Sequence, residues 1–162
     1  MDGPPPPEED FGQLPLSDRL VHKNWKARVS AYEELVKQFS LSASDADPVF
    51  DPYLRDPDVL KKCASDSNAV AQEKGLEVLV ALVKFAGERA ARVREGMGGA
   101  NVLVEKCLGS TRAGTKKGAI EVLLGFVEVE NGAAGVVVRY LPSVWLWNPC
   151  SNFFLLFARL TS

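Results

Sequence analysis

The sequence predicts an all-α protein, an α-solenoid in which antiparallel helix pairs stack side by side. A five-residue pattern (small, large apolar, Glu, any residue, Leu) occurs at Ala31–Leu35, Gly75–Leu79 and Ala119–Leu123, with a constant spacing of 44 residues. Cys63 and Cys107 are separated by the same period. A period of about 40–47 residues is typical of HEAT and armadillo repeats, whose helix pairs must stack because none buries its own apolar face. We therefore predict about three complete HEAT repeats and part of a fourth.

Composition excludes several classes of function. The chain has 162 residues, a net charge of −2 and 46% hydrophobic residues, which gives no reason to expect a nucleic-acid partner. We expect no membrane span, because prolines and asparagines interrupt the apolar residues 141–162 and a spanning helix needs about 20 continuous apolar residues. Three widely spaced cysteines form no metal or redox motif, so we expect no cofactor and a reducing compartment.

The periodicity divides the chain into three regions. Residues 1–13 are acidic and rich in proline, and we expect them to be disordered because they cannot pack. The repeats occupy residues 14–140, and residues 141–162 form an atypical apolar tail. The predicted repeats lie near residues 14–41, 48–86 and 89–130, and a fourth starts at 133–141. Because the next copy of the pattern would begin one residue beyond the end, we interpret the tail as foreign or truncated sequence.

The first repeat contains two helices and a short polar turn. Its first helix is predicted over about residues 16–21, and the turn is His22–Asn24. The second helix begins near Trp25 and carries apolar residues at helical spacing as far as Phe39. The Ser- and Asp-rich residues 41–47 are predicted to form a loop.

The second repeat has an interrupted first helix. Asp51-Pro52 and Asp56-Pro57 disfavour helical backbone before each proline, so the clearest helical part is 58–64. The turn is predicted at 66–68. The second helix, 69–85, is apolar on more than one side, which predicts that neighbours cover it from several directions.

The third repeat is predicted to have helical segments at 90–95 and 101–107, on either side of a glycine-rich break. That break lacks the preceding strand and the following Lys-Ser/Thr of a phosphate-binding loop. The turn is predicted at 110–114. Thr115 can cap the next helix, which is predicted over residues 116–129.

The sequence offers no convincing catalytic constellation, so we expect no enzyme. His22 is the only histidine, and no nucleophile or acid accompanies it at a useful spacing. The recurring Glu33, Glu77 and Glu121 are expected to form a solvated row or to pair with neighbouring lysines.

The turns are the best candidates for a binding surface. His22–Trp25, Asp66–Ala69 and Ser110–Ala113 occupy equivalent places in the repeat, so stacking aligns them along one edge of the array. Loop-borne residues on such an edge commonly bind partners. The edge is basic, which favours an acidic protein surface as its complement. Its basic residues are Lys23, Lys26, Arg28, Arg112, Lys116 and Lys117.

Trp25 has two interpretations. It begins a helix at a point where the apolar periodicity has not yet started. One interpretation is a staple that packs under the first helix. The other is an exposed aromatic anchor of the kind that dominates the energetics of protein interfaces.

The start of the repeats closely resembles the start of the first TOG domain of the fungal microtubule polymerases and their relatives. The resemblance is carried by residues 14–28 (LPLSDRLVHKNWKAR) and by Ala31–Leu35. Residues 110–117 (STRAGTKK) resemble the third loop of that domain, and the likeness covers about residues 14–140. This TOG/CLASP-type family of HEAT-repeat modules binds tubulin.

The resemblance implies a flat array of six HEAT repeats whose loop edge grips a curved αβ-tubulin dimer. It implies that Trp25 inserts against tubulin, that Arg112 and Lys116 pair with acidic residues, and that the turn at 66–68 adds polar contacts. The expected tubulin-binding residues are Lys23, Asn24, Trp25, Lys26, Ser67, Asn68, Arg112, Thr115, Lys116 and Lys117.

The expected function is therefore that of a tubulin-binding fragment of a microtubule-associated protein that promotes plus-end growth and spindle organisation. The expected location is the cytoplasm and the cytoskeleton, at microtubules, spindle poles and kinetochores. The alternatives are a general HEAT-repeat scaffold for another protein, or a truncated and poorly functional gene product. The sequence predicts no oligomeric state.

Overall fold

A computed structural model describes residues 11–98 and 101–129, and the predicted fourth repeat and the apolar tail lie outside these residues. The α-helices are α1 (Leu16–Leu20), α2 (Trp25–Ser40), α3 (Asp51–Arg55), α4 (Asp58–Ala64), α5 (Ala69–Ala86), α6 (Glu88–Gly96) and α7 (Ala113–Val129). Short 3-10 helices occur at Phe11–Gln13 and Pro48–Phe50, and Leu103–Leu108 forms a π-helix.

The long helices α2, α5 and α7 form one layer of the array. α5 packs between α2 and α7, and the shorter helices form the second layer, with α1 on α2, α4 on α5 and the π-helix on α7. Side chains between the layers and between neighbouring helices make up one continuous core. Its largest members include Tyr32, Leu35, Phe39, Phe50, Leu60, Leu76, Leu79, Leu82 and Phe126.

The contacts between α5 and α7 show that the two helices run in the same direction. A Cβ added to Gly118 would lie 3.0 Å from Leu76 Cβ, and one added to Gly125 would lie 2.9 Å from Val83 Cγ1. Both contacts advance by seven residues on both helices, as parallel packing requires. The N-terminal ends of the two helices therefore share one edge of the molecule.

The five-residue pattern has a direct structural meaning. Its small residue, Ala31, Gly75 or Ala119, is buried in each copy. A Cβ on Gly75 would lie only 2.2 Å from the carbonyl oxygen of Cys63 in α4, so the small residue marks a close approach of two helices. The glutamates of the pattern are exposed, as predicted, and two of them pair with lysines of their own helix, Lys74 with Glu77 and Lys117 with Glu121.

The start of α7 differs from the prediction. The helix begins at Ala113, three residues before the predicted start, and Thr115 is not its cap but a fully buried residue of the first turn. The Ser110 hydroxyl accepts a hydrogen bond from the Arg112 amide at 3.2 Å, and the Lys116 amide donates to the Arg112 carbonyl at 3.2 Å. Helical hydrogen bonding therefore starts at Arg112, upstream of Thr115.

Other boundaries also differ. Residues 11–13, predicted to be disordered, form a 3-10 turn because the Phe11 ring packs against His22 with 5.4 Å between centroids. The helix predicted at 90–95 already begins at Glu88, since Gly87, at a φ of +53°, ends α5 and allows an immediate restart. The α-helix predicted through 107 becomes a π-helix from Leu103, which buries Cys107.

Candidate functional site

The three turns lie on one edge of the structure. Asp66, in the second turn, contacts Arg28 near the start of α2, and Arg112, in the third turn, contacts Glu73 near the start of α5. Each turn is thereby joined to the helix that follows the preceding turn. We call this surface the turn edge: the turns at 22–24, 66–68 and 110–112 together with the N-terminal residues of α2, α5 and α7.

Trp25 is the aromatic residue of the turn edge. It is the first residue of α2, and 36% of its surface is exposed. Asn24 caps the helix, because its side-chain oxygen accepts a hydrogen bond from the Lys26 amide at 3.0 Å. Lys23 and Lys26, which lie close to Trp25 in the sequence, are both exposed. Part of Trp25 is therefore open to a partner while the rest is covered by the protein, and its role as an interface anchor stays a prediction.

A largely buried ion pair connects the first two turns. The Nε and Nη2 atoms of Arg28 each lie 2.7 Å from a carboxylate oxygen of Asp66, a bidentate arrangement. The Nη1 atom of Arg28 donates to the carbonyls of His22 at 2.7 Å and Lys23 at 3.2 Å. The Asp66 side chain is only 3% exposed and that of Arg28 is 14% exposed. We call these contacts the first junction.

Two further groups complete the first junction. The Tyr32 hydroxyl donates to Asp66 at 3.1 Å, and the Asn68 amide donates to the same carboxylate at 2.8 Å. Burial alone would raise the pKa of Asp66, but hydrogen bonds from Arg28 and from the Asn68 amide hold that pKa below its usual value. Burial raises the pKa of Tyr32, so its hydroxyl remains a proton donor.

A more open ion pair connects the second and third turns. The Nε atom of Arg112 lies 2.8 Å from Glu73 Oε1, with the two side chains 48% and 28% exposed. We call this contact the second junction. The hydrogen bond from Arg112 lowers the pKa of Glu73. Since only Nε reaches Glu73, the two terminal nitrogens of Arg112 form no hydrogen bond with the residues that the structure describes.

Most of the residues predicted to bind a partner are exposed on the turn edge. These are Lys23, Trp25, Lys26, Ser67, Arg112, Lys116 and Lys117. Asn24 and Asn68 are partly buried and cap α2 and α5 through their side-chain oxygens. Thr115 is fully buried beneath the edge, so its side chain does not reach the surface in this conformation. Arg28, counted among the basic residues of the edge, is directed inward to Asp66.

The sequence did not reveal two features of the turn edge. One is an exposed apolar residue, and the other is the set of carboxylates that pair with the arginines. Val70, the second residue of α5, is exposed close to Asn68. The ion pairs join residues 38 or 39 positions apart, slightly less than one period of 44. Arg89 and Asp51, a pair joined at 2.6 Å, are also 38 positions apart. The sequence contains these spacings, but nothing in it distinguishes the opposite charges that meet from those that do not.

The described residues offer little for catalysis. Within residues 11–98 and 101–129, no three His, Cys, Asp or Glu side chains come together as a metal site. His22 is held in the first turn, where its Nδ1 accepts from the Asn24 amide at 3.0 Å. Burial raises the pKa of the Cys63 thiol to about 12, which keeps it protonated and unreactive at neutral pH. None of the helices described here combines the length and apolar character that crossing a membrane requires.

Comparisons with known proteins are consistent with this arrangement. A family model described as XMAP215/Dis1/CLASP, TOG domain, matches residues 10–148, which extends past the predicted boundary at residue 140. The spindle pole body component alp14 of Schizosaccharomyces pombe is 42% identical over 145 residues, 88% of this chain and 17% of alp14. Protein mini spindles of Drosophila melanogaster is 36% identical over 129 residues, 80% of this chain and 6% of that protein. This chain thus spans less than a fifth of the length of either relative.

A solved structure also matches. It concerns tubulin recruitment and assembly by microtubule polymerases with Tumor Overexpressed Gene (TOG) domain arrays, and it is 32% identical with a TM-score of 0.69. The match covers 82% of this chain and 27% of that one. The likeness confirms the predicted all-α solenoid of HEAT type.

Proposed function

Because this chain belongs to the XMAP215/Dis1/CLASP family of TOG domains, we propose that it binds the αβ-tubulin dimer through its turn edge. It acts by binding and not by catalysis. We propose that it works as part of a microtubule-associated protein that promotes plus-end growth and organises the spindle. The proposed location is the cytoplasm, at the microtubule cytoskeleton. The names of alp14 and mini spindles, and the tubulin recruitment described for the related structure, support this role.

The observation that carries the proposal is that Trp25 is partly exposed and has two exposed lysines close to it in the sequence. An aromatic ring that is partly exposed in the free protein can bury its remaining surface against a partner. Such residues, together with arginines, account for most of the binding energy in many protein interfaces. Lys23 and Lys26 supply positive charge near the start of the same helix. The partner is therefore expected to offer an apolar pocket surrounded by acidic residues.

The other end of the turn edge contributes charge. Arg112, Lys116 and Lys117 are exposed at the start of α7. The terminal nitrogens of Arg112 offer the planar fork that suits a carboxylate. Contacts of this kind mainly accelerate association with an acidic surface. Ser67 adds a polar group between the two ends, while Asn24 and Asn68 serve the edge chiefly by ending its turns.

The test is binding of unpolymerised tubulin by the Trp25→Ala variant. If the indole is an anchor, its loss weakens binding by about 2–4 kcal/mol. Leu41→Ala is a matched control, because Leu41 is an exposed apolar residue beyond the opposite end of α2. Binding is measured by cosedimentation or by calorimetry, with the unfolding transition recorded for both variants.

We expect Leu41→Ala to bind like the unmodified protein. Equal binding by the Trp25→Ala variant would remove the anchor from the proposal. No binding of tubulin by the unmodified protein would contradict the proposed function as a whole, and would favour the alternative of a HEAT scaffold for another protein.

A further inference from the structure

We propose that Arg28 is a positioning residue, which locks the first two turns together and so presents Trp25, and that it does not itself contact the partner. The inference rests on the proposed binding through the turn edge. It concerns a residue that the sequence places among the basic residues of that edge. The contacts of the first junction indicate that Arg28 holds the turns in place and does not bind the partner.

The hydrogen bonds of Arg28 are directed into the molecule. All three guanidinium nitrogens have partners within the protein: two bind Asp66, and the third binds the carbonyls of His22 and Lys23. The side chain is mostly buried. A partner carboxylate could engage this guanidinium only after Asp66 had been displaced. That exchange would leave Asp66 buried without its counter-charge, which is energetically unfavourable.

The Asp66 carboxylate also has all its partners within the protein. Its two oxygens accept hydrogen bonds from Arg28, from the Tyr32 hydroxyl and from the Asn68 amide. Tyr32 is itself almost completely buried in the core of α2 and α5. The carboxylate therefore connects the core, the second turn and Arg28 in one network. Buried networks in which every group is satisfied are rigid.

The position of Arg28 explains how this rigidity reaches the indole. Arg28 lies three residues after Trp25 on α2, so the two side chains project from neighbouring positions on the helix. Through Nη1, Arg28 also holds the carbonyls of His22 and Lys23, the residues that lead the chain into Trp25. The turn before the indole and the turn beside it are thus fixed by the same guanidinium. Groups that are already ordered in the free protein lose less entropy on binding.

The Arg28→Lys variant separates positioning from direct contact. Lysine keeps the positive charge but cannot form the bidentate pair and reach both carbonyls. We expect tubulin binding to weaken by about tenfold, mostly through faster dissociation. If Arg28 acts through Trp25, the loss shrinks to less than about threefold in the Trp25→Ala background. A loss of equal size in both backgrounds, or no loss at all, would overturn the inference.

Lys26→Gln is the control for a base that faces solvent. Lys26 is exposed next to Trp25, and removing its charge should slow association and reduce the dependence of binding on salt. Arg28→Lys should leave the salt dependence unchanged, because the charge is retained. If Arg28→Lys slows association as Lys26→Gln does, Arg28 is a contact residue and the inference is wrong.

A measurement without tubulin keeps this inference separate from the proposed function. The backbone amide of Asn68 donates to Asp66, so the hydrogen exchange of that amide reports directly on the first junction. Arg28→Lys should accelerate exchange at Asn68 by about tenfold or more, while exchange in the middle of α5 stays slow. Unchanged exchange at Asn68 refutes the locking role even if tubulin binds.

A second variant keeps the test valid if Arg28→Lys does not fold. The double variant Arg28→Gln, Asp66→Asn removes both charges and leaves no unpaired ion at the first junction. It should retain a cooperative unfolding transition while showing the same faster exchange at Asn68. If the double variant binds tubulin as tightly as the unmodified protein, the lock is not needed for presentation of Trp25 and the inference fails.

Discussion

The first and second junctions perform the same connecting task with different chemistry. Both join an arginine to a carboxylate 38 or 39 residues away, between consecutive turns. The Arg28–Asp66 pair is bidentate and buried, with a tyrosine and a backbone amide on the same carboxylate. The Arg112–Glu73 pair has a single hydrogen bond and is open to solvent. The helix pairs repeat along the chain, but the burial and the hydrogen bonding of the ion pairs between their turns do not.

The repeat itself shows why the two junctions differ. One period after Arg28 stands Gln72, and one period after Asp66 stands Ser110. Gln72 donates instead to the Ala64 carbonyl at 2.9 Å. Tyr32 is replaced by Leu76, which has no hydroxyl to offer a carboxylate. The second junction must therefore use residues nearer the surface.

The difference assigns different mechanical roles to the two ends of the turn edge. A satisfied buried pair holds one geometry, whereas an exposed pair contributes little energy and exchanges partners easily. Trp25 stands beside the rigid first junction, and Arg112 belongs to the adaptable second one. On the proposed function, the first junction holds Trp25 in a fixed place, and Arg112 can exchange Glu73 for a carboxylate of the partner.

Removing one carboxylate from each junction should give the largest contrast. We expect Asp66→Ala to reduce the free energy of unfolding by about 2–4 kcal/mol, because Arg28 keeps only its carbonyl partners in a largely buried place. We expect Glu73→Ala to cost less than about 1 kcal/mol, as is usual for an exposed pair. Urea or thermal unfolding measures both. Equal losses in the two variants would contradict the distinction between a rigid and an adaptable junction.

Much of this could be predicted from the sequence, and the reasons are physical. The repeat fixed the helix pairs and their stacking, since the small residue of each copy marks a helix crossing, as Gly75 shows against Cys63. The placement of Trp25, Ser67 and Arg112 on one edge then follows from parallel stacking. These features depend on periodicity, which a single sequence displays.

The side-chain partners could not be predicted in the same way. Arg28, Lys26 and Lys23 all appear in the sequence as basic residues near a turn, and only the folded backbone shows which one meets Asp66. Thr115 suits a helix cap by residue type, yet Ser110 lies upstream and the helix starts sooner. Which side chains pair, and which residue caps a helix, depends on distances of a few ångströms between neighbouring repeats. The secondary-structure propensity of a residue does not contain this information.

Acid should weaken the first junction more than the second. The folded-state pKa of Asp66 lies below the value of about 3.9 expected for an unfolded chain. Its ionised form therefore stabilises the fold above that unfolded value, and the contribution is lost as the pH falls through the folded-state pKa. The free energy of unfolding of the unmodified protein should exceed that of Asp66→Asn at pH 7, and the gap should close as the pH is lowered below about 4.

Glu73→Gln is the comparison for the acid titration. The pKa of Glu73 is also lowered, so its contribution has the same sign and is lost in the same direction. Its gap to the unmodified protein should be smaller at pH 7 because both side chains are solvated. A gap for Asp66→Asn that stays constant from pH 7 to pH 3 would show that the Asp66 charge is not what stabilises the junction.

Salt should produce the smallest effect and should act on the second junction alone. The screening length falls from about 10 Å at 0.1 M salt to about 3 Å at 1 M, and it governs charges that are exposed to solvent. The coupling energy between Arg112 and Glu73, measured by a double-mutant cycle with alanine at each position, should fall towards zero. The coupling between Arg28 and Asp66 should change little, since solvent ions do not enter a buried pair. If salt reduced both couplings by the same fraction, burial could not be the property that distinguishes the two junctions, and the fixed presentation of Trp25 would need another cause.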